Sequence, residues 1–93
     1  MQALNESDVI GRLAEIDRWD FANNSLIKTF QLKDFAYCIA FIVKIGIEAE
    51  KLDHHPDILL HGWNKVKLTL STHSAGGVTE NDFKLAHKID QID

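Results

Sequence analysis

FAYCIAFIVKIGIEAEKL, residues 35–52, is the longest apolar-patterned run of the chain, and the rest of the sequence arranges itself around it. Apolar residues at 35, 38, 39, 42, 45, 46 and 49 form a broad stripe at helical spacing, as a helix lying across a sheet requires. Asp34 stands where a cap is expected. Pro56 is expected to stop the helix, because it supplies no amide donor and disfavours the α region in the residue before it. Upstream, Trp19 and Phe21 alternate with polar neighbours, Asn23-Asn24 is a turn signal, and Leu26 to Leu32 is rich in β-compatible residues, which predicts a hairpin. Downstream, Ile58 to His61 reads as a short strand and Gly62 to Lys65 as its turn. Val66, Leu68 and Leu70 then alternate with Lys65, Lys67, Thr69 and Ser71, a two-residue period that puts one face in the core.

Further out, Val9, Ile10, Leu13 and Ile16 fall at helical spacing behind Asn5, predicting a first helix over 6–17. Ser74 to Val78, with Gly76-Gly77, reads as a loop, after which Thr79 caps a last helix carrying Phe83, Ala86, Ile89 and Ile92 on one side. The order αββαββα predicts an α+β fold, a two-layer sandwich in which a four-stranded antiparallel sheet is covered on one face by three helices. No linker, repeat or low-complexity tract interrupts it, so residues 1–93 are read as a single domain.

Composition narrows the function classes. A chain of 93 residues with 45% hydrophobic content builds one modest core, and short chains often gain stability by associating. Ten Lys and Arg against fourteen Asp and Glu give a net charge of −4, with no basic run to meet a phosphate backbone, which argues against direct nucleic-acid binding. Residues 1–8 lack a signal-peptide pattern, and the apolar run from Phe35 to Ile47 is broken by Lys44 and too short to span a membrane. A soluble, cytoplasmic protein is expected. Cys38 is the only cysteine, and its apolar neighbours predict a buried thiol rather than a nucleophile.

The segment Glu50-Lys51-Leu52-Asp53-His54-His55-Pro56 is followed by Trp63, then by His73 after nine intervening residues, and by Asp82 after eight more. Imidazole both gives and takes a proton near neutral pH, so three histidines among carboxylates suit acid/base chemistry. The end of a helix, with its partial negative charge, favours a protonated imidazole, which suits one of the pair to act as an acid. This pattern resembles the pterin-4a-carbinolamine dehydratases, and the resemblance runs on through Lys33-Asp34-Phe35, Asn64-Lys65-Val66 and Leu70-Ser71-Thr72-His73. It implies the three-helix, four-strand architecture already read from the pattern, assembly as a homodimer or homotetramer, and dehydration of 4a-hydroxytetrahydropterin to quinonoid dihydropterin in support of tetrahydrobiopterin recycling. By the same resemblance His54, His55 and His73 are the catalytic set, and Pro56, Thr72, Ser74, Ala75 and Asp82 contact the pterin.

Several of these residues also have plainer readings. Asp82 lies three residues after Thr79 and completes a capping box. Trp63 is expected to pack beside its turn, with pterin contact as the alternative. His61 and His87 match no position of the pattern and are assigned to exposed strand and helix surface. Adjacent histidines do not converge easily on one ion, so no metal is expected, and with no Gly-rich phosphate cradle or dinucleotide fingerprint in the sequence no other cofactor is expected either. Two departures stand out: Ser74 replaces the acidic residue that many members carry after the third histidine, and the interval from Pro56 to Trp63 is six residues where the vertebrate type has five. Vertebrate members also serve as dimerisation cofactors of a homeodomain transcription factor, which makes a non-catalytic interaction role, or another pterin-linked regulatory role, the alternative.

Overall fold

The computed structural model describes residues 2–92; Met1 and Asp93 of the expected 1–93 domain lie outside the described residues. The elements follow the expected order: α1 (Glu6–Arg12), β1 (Asp20–Ala22), β2 (Ser25–Gln31), α2 (Phe35–Leu52), β3 (Asp57–His61), β4 (Lys65–Leu70) and α3 (Glu80–Asp90). All pairings are antiparallel and the strand order is β1-β2-β4-β3, so two hairpins join through their β2 and β4 members. The fold is the predicted α+β sandwich.

Local chemistry accounts for most boundaries. Asn5, Asp34 and Thr79 cap the three helices with side-chain oxygens, each accepting an amide of the first turn. The first helix is shorter than expected: it tightens into a 3₁₀ turn over Leu13–Glu15 and gives way to extended backbone at Ile16. Asn23 and Asn24 both have positive φ, as a two-residue hairpin turn demands.

Strand alternation divides the sheet. Leu26, Val66, Leu68 and Leu70 are buried toward the helices, whereas Thr29, Gln31, Leu59, His61 and Lys67 are exposed on the other face. Helix α2 contacts both β4 and α3, and Phe41 meets Phe30 of β2 edge to face with ring centroids 4.9 Å apart. The buried side of α2 is Cys38, Phe41, Ile45 and Ala49, so the Cys38 thiol is enclosed as expected. Phe35 and Ile39, which belonged to the predicted stripe, are exposed; with Val43 and Ile47 they form a second apolar row on the outer side. The helix is apolar on nearly every side, so its period alone did not select the inward face.

Trp63 corrects a second expectation. It sits at the tip of the β3–β4 loop with φ 61° and is 64% exposed rather than packed in the core. A residue at the end of a projecting hairpin loop has few neighbours to pack on.

Candidate active site

Helix α2 ends at Leu52, and what ends it is Asp53 rather than Pro56. Asp53 takes the left-handed conformation, φ 49° and ψ 44°, which Asp tolerates better than most residues. Its N–H bonds to the Glu50 carbonyl at 3.1 Å while the His54 N–H reaches back to Ala49 at 3.0 Å, the two bonds of a Schellman cap. His54 is thereby fixed by the reversal itself. Pro56 comes later, half-buried, just ahead of β3.

The His54 side chain is 10% exposed, and its Nε2 lies 2.5 Å from Oδ1 of Asp82, which is fully buried on α3. The second carboxylate oxygen, Oδ2, accepts from Thr72 Oγ1 at 2.9 Å and from the Thr79 N–H at 2.9 Å. A carboxylate only accepts, so the His54 Nε2 carries the proton of this bond and Nδ1 is the nitrogen left for other work. Thr72 has spent its hydroxyl proton on Asp82. The 2.8 Å bond between the two threonine hydroxyls therefore runs from Thr79 to Thr72, and Thr79 Oγ1 in turn accepts the Asn81 N–H at 3.3 Å. The predicted capping box of Thr79 and Asp82 is present, and the same carboxylate also holds a histidine. Both Asp82 oxygens are thus occupied from inside the protein.

His55, next in the chain, turns outward. Its Nε2 is 2.6 Å from Glu50 Oε1, with side chains 58% and 77% exposed. Glu50 was part of the sequence pattern but not of the expected site; its five-residue lead over His55 spans the end of the helix and its reversal.

His73 opens a 3₁₀ turn, His73–Ala75, directly after β4. It is exposed, and its ring has no hydrogen-bond partner among the described residues. Ser74 is exposed, Ala75 half-buried, and Thr72 buried with its hydroxyl committed to Asp82 and Thr79. Thr72 thus ties the His73 turn to His54 through one shared carboxylate. His61 is exposed on β3 and His87 on α3, outside this cluster, as expected.

The first residue of α3 braces the same helix end from outside. Arg12 of α1 grips Glu80 with both of its terminal nitrogens, Nη1 to Oε2 at 2.5 Å and Nη2 to Oε1 at 3.0 Å. That hydrogen bonding holds the Glu80 carboxyl below its ordinary range and the guanidinium above its own. A cavity of about 550 Å³ lies elsewhere, beside Lys28, Phe30 and Asp90, and its lining includes none of the three histidines. Lys28 is already held there by Asp90 at 2.7 Å and by the Asp17 carbonyl at 2.5 Å, and Trp19 Nε1 donates to the same Asp90 at 3.0 Å. These bonds lock β2 to α3. Among the described residues no three His, Cys, Asp or Glu side chains converge to hold a metal, and no helix is long and apolar enough to cross a membrane.

The sequence model of the family described as "Pterin 4 alpha carbinolamine dehydratase" matches residues 2–92. A protein of Sulfolobus acidocaldarius, provisionally named pterin-4-alpha-carbinolamine dehydratase, is 49% identical over 89 residues, covering 96% of this chain and 97% of its own. A crystal structure from Brucella melitensis, described as a transcriptional coactivator/pterin dehydratase, superposes with a TM-score of 0.87 at 38% identity, covering 95% of both chains. A pterin dehydratase-like protein identified as a RuBisCO assembly factor in the alpha-carboxysome is also similar, with a TM-score of 0.61 at 26% identity, covering 78% of this chain and 83% of its own.

Proposed function

This chain belongs to the pterin 4 alpha carbinolamine dehydratase family, and from that premise we propose that it converts 4a-hydroxytetrahydropterin to quinonoid dihydropterin and water by histidine general acid/base catalysis. The supporting observation is the chain of bonds from His54 through Asp82 to Thr72, which backs one oriented imidazole and the His73 turn with the same buried carboxylate. The reaction needs proton transfers alone. An imidazolium protonates the 4a hydroxyl, the C4a–O bond breaks and water leaves. The N5 proton passes to a second imidazole as the C4a=N5 bond forms. Positioned acids and bases contribute ~10² to 10⁴ each, enough for a substrate that already dehydrates slowly unaided.

In this reading His54 or His55 is the acid at the hydroxyl, and His73 faces the ring from the other side and assists proton removal. Pro56, Thr72, Ser74 and Ala75 border the pterin, and Asp82 acts on it through His54. The activity would serve tetrahydrobiopterin recycling in the cytoplasm. The test is the dehydration rate of chemically prepared 4a-hydroxytetrahydropterin with the wild type and with His54→Ala, His55→Ala and His73→Ala. Acceleration by the wild type that falls in the variants supports the assignment and ranks the roles. A wild type no faster than buffer ends it.

The outer row of α2 favours a second reading beside the first. Phe35, Ile39, Val43 and Ile47 lie at four-residue intervals, each about half exposed, which is costly to leave in water along one line of a helix. We read this row as the contact through which copies of the chain form a homodimer or homotetramer. Descriptions of two relatives as a coactivator and as an assembly factor support an interaction role on the same scaffold, and the net charge of −4 argues that any such role runs through protein rather than nucleic acid. An interaction-only protein would keep its assembly and function after all three histidines were replaced.

A further inference from the structure

The exposed His73 ring has no hydrogen bond of its own among the described residues, so its position depends on the backbone that carries it. That backbone is a tight loop. Thr72 and Gly77 form an antiparallel bridge, Thr72 N–H to Gly77 O at 2.8 Å. Ala75 and Gly76 both turn back onto the Thr72 carbonyl at 3.0 Å, and Gly76 closes the turn with φ 73°.

A side chain from far away in the sequence reaches this loop. Asn24, in the β1–β2 turn, donates its Nδ2 to the Gly76 carbonyl at 2.5 Å, across 52 residues. The fit on that side is close: a Cβ added at Gly77 would lie 3.0 Å from Asn24 Oδ1 and 3.1 Å from its Nδ2. Asn24 has φ 61° in a two-residue turn where both residues are left-handed. Glycine is the usual choice at the second position of such a turn, so the turn itself has no need of a carboxamide there. The need lies in the loop opposite.

We propose that Asn24 is a positioning residue for His73: it clamps the Thr72–Gly77 loop and thereby sets where the third imidazole stands. The clamp is argued from contacts, and its consequence for dehydration rests on the reading of His73 given above. Because glycine suits the turn conformation, Asn24→Gly removes the clamp while sparing the hairpin. Asn24→Asp keeps side-chain size and tolerance of left-handed backbone, but it replaces the donor with an acceptor facing a carbonyl.

The experiment combines amide exchange, histidine-ring NMR and dehydration kinetics on the full chain. In Asn24→Gly the melting temperature should stay near that of the wild type, while the amides of Gly76 and Gly77 exchange about three- to tenfold faster, the equivalent of one solvent-exposed hydrogen bond. The His73 ring resonances should shift and show greater mobility, and kcat for dehydration should fall by about tenfold with a smaller change in KM, since loss of alignment acts on the reacting geometry. Asn24→Asp should behave alike. Gly77→Ala should reproduce part of the defect by displacing Asn24, and its effect should shrink in the Asn24→Gly background, where the clashing side chain is gone. Unchanged loop exchange and unchanged His73 signals in Asn24→Gly would overturn the proposal whatever the activity. Altered signals with an unaltered rate, in a protein whose His73→Ala variant is inactive, would overturn it as well. A wild type that does not accelerate dehydration, with the ring signals nonetheless shifted in Asn24→Gly, would remove the dehydratase reading and leave the clamp standing.

Discussion

His54 and His55 are adjacent in the chain, and each places Nε2 beside a carboxylate oxygen, at 2.5 and 2.6 Å respectively, yet they occupy opposite physical regimes. The first pair is enclosed, with Asp82 fully buried and shared by two threonines; the second stands in water, with Glu50 77% exposed. Distance therefore says little about what either contact is worth. An exposed pair gains little because water competes for both partners, whereas breaking a buried one strands groups that have no solvent to turn to. The reversal at Asp53 creates this difference within one peptide unit.

The largest effect is expected at Asp82. Asp82→Ala removes the acceptor of the His54 Nε2–H, the Thr72 hydroxyl and the Thr79 N–H at once, and it should cost about 3–5 kcal/mol in urea unfolding. Asp82→Asn separates fold from chemistry. Its carbonyl can still take the two donors on the Oδ2 side, but its NH₂ then faces His54 and forces the proton onto the other ring nitrogen. That variant should fold, lose only about 1–2 kcal/mol, and dehydrate about 100-fold more slowly or worse. A full rate in Asp82→Asn would show that the buried contact does not orient a working imidazole.

A pair of intermediate character sharpens the contrast. Arg12 and Glu80 meet through two nitrogens at the start of the same helix, but the Glu80 side chain is 48% exposed. Hydrogen bonding to Arg12 holds the Glu80 carboxyl below its unfolded value, so this stabilisation is present at neutral pH and is lost as pH falls through the folded value. Glu80→Gln should therefore cost less than about 1 kcal/mol at neutral pH, and the difference from the wild type should vanish in acid. Unfolding curves at the two conditions decide it. A cost that persists in acid, where Glu80 is protonated and carries no charge, would trace to contacts of the uncharged side chain and not to the ion pair.

How much of this was legible in the sequence depended on how local the cause was. Caps at Asn5, Asp34 and Thr79, the Asn23-Asn24 turn and the alternation of β4 are signals within a few residues, and together they gave the order of elements. The rotation of α2 was not legible, because apolar residues surround it and only contact with β4 and α3 selects Cys38, Phe41, Ile45 and Ala49 as the inner face. Nor was the stop at Asp53, since an aspartate in left-handed backbone leaves no pattern as plain as proline. Trp63 departs from its expected packing because an aromatic side chain signals burial only where the turn conformation directs it inward. For the site, the histidines stood out by residue type and by resemblance. That the capping carboxylate of α3 also grips His54 depends on a contact across 28 residues, which no spacing rule encodes.

The smallest expected effect closes the comparison at its exposed end. Glu50→Gln keeps a polar group within reach of His55 and removes only the charge. With both side chains more than half exposed, the stability change should stay below about 0.5 kcal/mol and disappear at high salt, where such pairs are screened. The dehydration rate is the more telling measurement. If burial is what makes a carboxylate an orienting group, water can stand in for Glu50 and the rate should change by no more than about twofold. If Glu50→Gln slows dehydration as much as Asp82→Asn, the exposed carboxylate is orienting His55 in its own right, and the difference between the two histidines lies in their place around the pterin and not in their depth.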